Sequence, residues 1–265
     1  MSVFNWKELL YPYEQAVEEL LVKFSNIVRE CKMLGIYSPI ESVSGRVKRV
    51  SSIIEKATRK NIPNDLIEDL VEDIAGIRIQ CQFVEDIEKT IDIIRKRDGT
   101  DMFIVEERDY ITNTKPSGYR SYHIIIRYPL HTAIGYKEVL VEIQIRTLAM
   151  NFWATAEHTL KYKYSGNIPE ELDKRLKYCA EAAYKLDEEM STIRSEIMNA
   201  ERLNEIKNNL VSDIIENMQR LYFVAKIGDM DKVNRDFAVL WEEGDVDKLK
   251  NFNEQLEIML ELYRV

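Results

Sequence analysis

The sequence predicts an α/β (α+β) protein, with short strands interleaved with helices as far as Thr147 and helix alone beyond it. Three observations carry this. Residues 138–147 alternate with period two: Val139, Val141, Ile143 and Ile145 share one parity, and Glu142, Gln144 and Arg146 the other. That is the pattern of a strand with one buried and one polar face. Residues 73–84 repeat it, with Ile77, Ile79, Cys81 and Phe83 set against Arg78, Gln80 and Gln82. Residues 5–35 instead place Leu9, Tyr13, Ala16, Val17, Leu20, Leu21, Phe24, Ile27, Val28 and Cys31 at spacings of three and four, as a packed helix does.

In chain order, that first helix is broken by Ser38-Pro39-Ile40-Glu41. Residues 44–60 read as a second helix with two stripes. Val47, Val50, Ile54 and Ala57 form the apolar one; Lys48, Ser52, Lys56 and Arg59, at i, i+4, i+8 and i+11, form the other. Long cations on one face with a hydroxyl between them suit a triphosphate. After Asn61-Ile62-Pro63-Asn64 come a short helix at 65–72 and the strand at 73–84, with Asp73 at its entrance and Gly76 permitting close approach to the backbone. A returning helix at 85–97, a turn at Asp98-Gly99 and a strand from Met102 to Ile111 carrying Arg108 follow. The loop 112–123 crowds Lys115, Tyr119, Arg120, Tyr122 and His123 around Pro116-Ser117-Gly118, residues suited to bases and phosphates. Strands at 124–130 and 138–147 lead into a helix near Leu148 that holds Asn151, Trp153, Glu157, His158 and Lys161 and stops at 162–169. A charged helix spans 170–208. The tail, 209–265, is helical and contains an echo, Gly228-Asp229-Met230-Asp231-Lys232 and Gly244-Asp245-Val246-Asp247-Lys248, read as two turns with Asp helix caps.

Charge narrows the function. The net charge of −9 argues against a general nucleic-acid binder. Residues 44–60, however, hold six Lys/Arg against one Glu, while 201–265 hold nine against fourteen acidic residues. A basic island in an acidic chain fits a nucleotide better than a duplex. No signal peptide opens the sequence, and no apolar run reaches the roughly 18 residues of a membrane span. Cys31, Cys81 and Cys179 lie far apart in no metal-like spacing, which suits a cytoplasmic location.

Asp73 and Glu142 are the two carboxylates expected on polar strand faces beside Arg or Gln. Such a pair can hold one Mg²⁺ and leave its remaining positions to phosphates. Either could also accept a proton from an attacking hydroxyl. With cations and an aromatic loop nearby, this describes phosphoryl-type transfer. There is no G-x-x-x-x-G-K-[ST] and no kinase loop set.

Arg46-Val47-Lys48, Asp73-Ile74-Ala75-Gly76-Ile77-Arg78, Ser117-Gly118-Tyr119-Arg120-Ser121-Tyr122-His123, Glu142-Ile143-Gln144-Ile145-Arg146-Thr147, Asn151-Phe152-Trp153-Ala154 and Glu157-His158 occur in that order. Together they resemble the synthetase domain of the RelA/SpoT family, and in particular its small alarmone synthetases of the RelQ type. The resemblance covers residues 1 to about 200, giving a synthetase domain at 1–200 and an acidic helical extension at 201–265. It implies a nucleotidyltransferase-like fold, a mixed sheet flanked by helices, in a homotetramer. It also implies transfer of pyrophosphate from ATP to the 3′-hydroxyl of GTP or GDP, without a hydrolase activity. By motif match, Arg46 and Arg78 would sandwich adenine, and Lys48, Ser52, Lys56 and Arg59 would hold the ATP phosphates. Asp73 and Glu142 would bind Mg²⁺, with Glu142 activating the 3′-hydroxyl. Tyr119 would stack on guanine, Arg108, Lys115 and His123 would face the acceptor's phosphates or ribose, and Gln144 and Asn151 would complete its pocket.

One departure stands out. Product-stimulated relatives use Lys residues of the first helix and a Phe-Val-Thr-Gly loop; the matching positions here are Leu21, Ser25 and Ser42-Val43-Ser44-Gly45. The rival readings are a non-catalytic guanine-nucleotide sensor, an RNA-binding regulator, which the acidic tail disfavours, and transfer to adenosine nucleotides.

Overall fold

The computed structural model describes residues 5–133, 135–163, 169–224 and 227–262. It divides into two compact units, 1–191 and 192–265. Unit one is built on a five-stranded mixed sheet: β1 (Ser42–Val47), β2 (Ala75–Cys81), β3 (Phe103–Asp109), β4 (Tyr122–Thr132) and β5 (Gly135–Thr147). The strand order is β1-β2-β5-β4-β3, and β2 and β5 are the parallel pair. The mixed sheet with N-terminal and C-terminal helices agrees with the fold expected.

Helix α1 (Trp6–Leu34) starts at Asn5, whose side chain accepts from the Glu8 N–H, and ends at Gly35 with φ of 66°. Its predicted stripe is the one that is buried: Leu9, Tyr13, Ala16, Val17, Leu20 and Phe24 pack on β1, β2, β5 and β4. Helices α2 (Val50–Lys60), α3 (Ile67–Leu70) and α4 (Val84–Arg95) follow, and α4 covers β5 and β2.

Residues 44–49 depart from the helix expected there. Instead of opening a helix, Ser42–Val47 pairs antiparallel with β2, and α2 begins only at Val50. Gly45 explains the override. A Cβ placed there would lie 2.7 Å from Val17 Cγ1 and 3.0 Å from Ile77 Cδ1, so the absence of a side chain lets α1 lie directly on β1. The apolar stripe shifts accordingly: Ile53 and Ala57 are buried, whereas Ile54 is exposed. Strands β4 and β5 are longer than the periodicity marks. Their antiparallel ladder runs on to Thr132 opposite Gly135, where hairpin pairing carries polar residues that alternation cannot reveal.

Helix α5 (Leu148–Lys163) leaves the end of β5; Tyr164 to Ile168, in the expected stop, lie outside the described residues. Helix α6 (Glu170–Val224) is a single 55-residue helix, longer than the 170–208 expected, and it runs through the unit boundary. In unit two its C-terminal part packs with α7 (Ile227–Glu243) and α8 (Val246–Leu262) around Val211, Ile214, Leu221, Met230, Val233, Leu249, Phe252 and Leu256. Asp245 caps α8 by accepting from the Asp247 and Lys248 N–H groups, as read from the echo. The first copy differs: Gly228 and Asp229 lie inside α7, not in a turn.

Asp187 of α6 locks the junction of β5 and α5. Thr147 Oγ1 donates to Asp187 at 2.6 Å and accepts from the Met150 N–H at 3.0 Å. Burial pushes the Asp187 carboxyl up to about 6, against the Thr147 hydrogen bond and the Arg120 charge. The fold therefore binds this proton more tightly than the unfolded chain does. Its contribution is complete below about pH 4 and is lost as pH rises through about 6. Asp187→Asn keeps an acceptor for Thr147 and has no proton to lose. It is expected to melt a few degrees above wild type at pH 8 and level with it at pH 4.5. An equal gap at both pH values in thermal melts would sink this account.

Candidate active site

Pairing in the sheet brings polar side chains from successive strands into one row. Arg78 of β2 lies opposite Gln144 of β5, Gln144 opposite His123 of β4, and His123 opposite Arg108 of β3. One step along, Gly76 pairs with both Arg46 and Glu142. A cavity over this region is lined by Ser44, Arg46, Asp73, Gly76, Arg78, Glu142 and Gln144. It adjoins a cleft lined by Arg46, Arg78, Lys115, Tyr119, Gln144 and Arg146, with Thr155, Glu157, His158 and Thr159 from α5 opposite. Arg46 also lines a third pocket, with Lys48, Ser52, Lys56, Arg59, His158 and Thr159. Of the cationic stripe foreseen, Ser52, Lys56 and Arg59 lie on α2 and Lys48 lies ahead of it, between β1 and α2; all four open onto the same region.

Asp73 sits between Lys48 Nζ at 2.6 Å and Lys56 Nζ at 2.7 Å. Burial pushes its carboxyl up, but the two ammonium groups outweigh it and hold the carboxyl below its usual range. Glu142 is more enclosed, its side chain 13% exposed. Its carboxylate accepts from His123 Nδ1 at 3.0 Å and from Gln144 Nε2 at 2.6 Å. Here too burial raises the carboxyl, and His123 with Gln144 brings it net below the ordinary glutamate value.

These bonds continue outward. With His123 carrying its proton on Nδ1 and donating it to Glu142, His123 Nε2 accepts from Tyr119 Oη at 2.8 Å, and Tyr119 Oη in turn accepts from Arg146 Nη2. Arg146 also donates to Gln144 Oε1 at 2.7 Å and to Ser121 Oγ at 3.2 Å. The loop that carries Tyr119 is thus linked to Glu142 through a chain of donors. Lys115 lies 4.1 Å from the Tyr110 ring centroid and 4.9 Å from that of Tyr119; burial lowers its pKa from the usual lysine value.

The foreseen residues are placed unequally. Arg46, Lys48, Ser52, Lys56, Arg59, Asp73, Arg78, Lys115, Tyr119, Glu142 and Gln144 line the joined cavities. His123 is buried behind Glu142. Arg108 makes a bidentate pair with Glu72 at 2.8 and 2.9 Å and a further pair with Glu106, which together raise its pKa. Asn151 lines a neighbouring, mostly apolar pocket with Leu148, Phe152 and Thr155. Among the described residues, Asn151 Oδ1 and Arg78 Nε are buried side-chain atoms with no hydrogen-bond partner. Buried polar groups in proteins are normally hydrogen-bonded, so an orphaned Arg78 Nε in the cavity and Asn151 Oδ1 in the neighbouring pocket suit a hydrogen-bonding ligand. Burial first, then the guanidinium groups of Arg146 and Arg46, lowers the Arg78 pKa; this cationic crowding fits a polyanion.

Arg146, Ser121 and Glu72 carry no role that the sequence alone reveals. The alternation in β5 does put Arg146 on the polar face, but its burial at 4% exposure and its contact with Tyr119 come from the tertiary fold.

Residues 45–167 match the family described as the region found in RelA/SpoT proteins. The chain is 57% identical over 197 residues to the GTP pyrophosphokinase YjbM of Bacillus subtilis (strain 168), covering 74% of this chain and 92% of that one. The crystal structure of small alarmone synthetase 1 from B. subtilis bound to its product pppGpp aligns with TM-score 0.70 and 57% identity, over 72% of this chain and 97% of that one. The structure of the same synthetase bound to AMPCPP aligns with TM-score 0.65 and 52% identity, over 73% and 98%. On this likeness in sequence and fold, the chain belongs to the RelA/SpoT family and, within it, to the small alarmone synthetases.

Proposed function

We propose that the chain transfers the β,γ-diphosphate of ATP to the 3′-hydroxyl of GTP or GDP, giving pppGpp or ppGpp and releasing AMP. The observation that carries this reading is the meeting of Asp73 and Glu142 in one cavity, beside the cationic pocket of Lys48, Ser52, Lys56 and Arg59. Arg46 and Arg78 would hold adenine between them, and the cationic pocket would take the triphosphate. Tyr119 would stack on guanine, with Lys115 and Arg108 on the acceptor phosphates and Gln144 and Asn151 completing its pocket. Arg108 must exchange Glu72 or Glu106 for phosphate to do so. Relatives solved with AMPCPP and with pppGpp support the assignment of a donor and an acceptor side.

The donor set fits magnesium. No group of three or more His, Cys, Asp or Glu that could hold a metal occurs among the described residues. Two carboxylates suit a hard ion that takes its other ligands from phosphates and water. Asp73 and Glu142 would hold Mg²⁺, which when bound offsets the charge on the transferred phosphates. Glu142, ionised at neutral pH, accepts the 3′-hydroxyl proton while His123 fixes its orientation. A weakly basic carboxylate suffices, because a loose phosphoryl transition state demands little nucleophile activation. Lys48 and Lys56 neutralise the donor phosphates, and Arg146 steadies Tyr119 and Gln144 on the acceptor side.

Assembly as a homotetramer in the cytoplasm, and a domain division near residue 200, complete the proposal. No described helix is long and apolar enough to cross a membrane. Incubating the protein with Mg²⁺, γ-labelled ATP and GTP should give labelled pppGpp and AMP. Binding without product, for any guanine or adenine acceptor, would favour the sensor. A salt-dependent RNA shift would favour the RNA-binding regulator.

Product stimulation is expected to be weak or absent. Leu21 packs close to Gly45, and neither it nor Ser25 supplies the cation used by stimulated relatives. Adding pppGpp at the start of a reaction should leave the initial rate unchanged; a several-fold rise would refute this.

A further inference from the structure

The matched family region ends at residue 167, yet the loop that carries Tyr119 is bolted to residues beyond it. Gly118 has φ of +88°, and a Cβ there would lie 2.6 Å from Ala180 Cβ, so the loop backbone rests directly on α6. The Tyr119 ring packs in a small cluster with Trp153, Ala154, Ala180 and Ala183. Trp153 Nε1 donates to the Leu176 carbonyl at 2.9 Å, tying α5 to the same stretch of helix. Arg120 closes the assembly. Its guanidinium lies 4.3 Å from the Tyr184 ring centroid, pairs with Glu181 at 3.2 Å and reaches the Ala180 carbonyl at 3.5 Å. The Arg120 side chain is only 12% exposed.

We propose that Arg120 is a positioning residue for the acceptor nucleotide: it straps the Tyr119 loop onto Ala180, Glu181 and Tyr184 of α6, which backs that loop. This rests on the reading of Tyr119 as the guanine platform. Arg120 does not line the cleft, whereas its neighbours Lys115 and Tyr119 do. A planar guanidinium stacked on one ring and forked toward a carboxylate and a carbonyl is a directional anchor, not a free phosphate ligand. Without it the loop must be ordered when guanine binds, and that entropy is charged to acceptor affinity. The donor side stands on β1, β2 and α2, which the strap does not touch.

The test compares Arg120→Met, Arg120→Lys and Tyr184→Leu with wild type in steady-state kinetics and thermal melts. From the combined strength of the stack and the ion pair, Arg120→Met should raise KM for GTP about tenfold. KM for ATP should not change, and the melting temperature should fall by no more than a few degrees. Tyr184→Leu should share this pattern, Arg120→Lys should recover part of the loss, and the Arg120→Met/Tyr184→Leu double variant should be no worse than Arg120→Met alone. An equal rise in both KM values would overturn the proposal, as would a fall in kcat with KM for GTP unchanged. So would wild-type kinetics in Arg120→Met. Failure of the wild type to turn over GTP would instead refute the acceptor reading beneath it.

Discussion

Glu142→Gln should abolish alarmone synthesis while leaving nucleotide binding nearly intact. The side chain keeps its size, and a glutamine can still accept from His123 and meet Gln144. What disappears is a carboxylate that stays ionised at neutral pH despite its burial, because His123 and Gln144 hold its pKa down. Loss of a positioned general base costs about 10²–10⁴-fold in rate. Loss of a metal ligand at the same position would push the effect to the upper end of that range. The expected result is therefore at least a thousandfold drop in kcat, about 4 kcal/mol in activation free energy. Affinity for GDP, measured by calorimetry, should change by less than about threefold, under 1 kcal/mol. A variant retaining more than a tenth of wild-type kcat would remove Glu142 from the role of base.

How far this site can be read from the chain alone depends on the kind of signal. Strands β2 and β5 announce themselves because one face is buried, so Ile77, Ile79, Ile143 and Ile145 must alternate with Arg78, Gln80, Gln144 and Arg146. The same alternation is enough to assign Glu142 and Gln144 to the polar face. Strand β1 carries no such signal. Its Ser42, Ser44 and Gly45 are poor strand formers, and its conformation comes from pairing with β2 under α1. Ser52, Lys56 and Arg59 are legible as one face of α2, but Lys48 precedes that helix, and the contacts of Lys48 and Lys56 with Asp73 span 25 and 17 residues of sequence and belong to the tertiary fold. Arg108 shows the reverse: its motif position suggests phosphate, while the folded chain supplies Glu72 as its present partner. Motifs name the residues that share a site. They do not say which of them already hold one another.

That distinction sets the expected behaviour of Asp73→Asn. The carboxylate stands between two ammonium groups at 2.6 and 2.7 Å, with Arg46 and Arg78 lining the same cavity. Removing its charge leaves Lys48 and Lys56 without their anion and makes the donor side more cationic. A metal-free ATP analogue should then bind as tightly as in wild type, or more tightly, since the lysines no longer have to leave a carboxylate to reach phosphate. Turnover should move the other way. If Asp73 holds the metal, its loss removes several kcal/mol of charge stabilisation, and kcat should fall by about a hundredfold or more. The two effects separate in one pair of titrations. Magnesium should strengthen binding of a non-hydrolysable ATP analogue to wild type and leave Asp73→Asn unaffected or weakened. Equal magnesium enhancement in both proteins would mean that Asp73 is a structural partner of the two lysines and that the metal is held without it. Loss of analogue binding without metal would instead mean that Asp73 keeps Lys48 and Lys56 aimed at the donor, a geometric role that its charge merely accompanies.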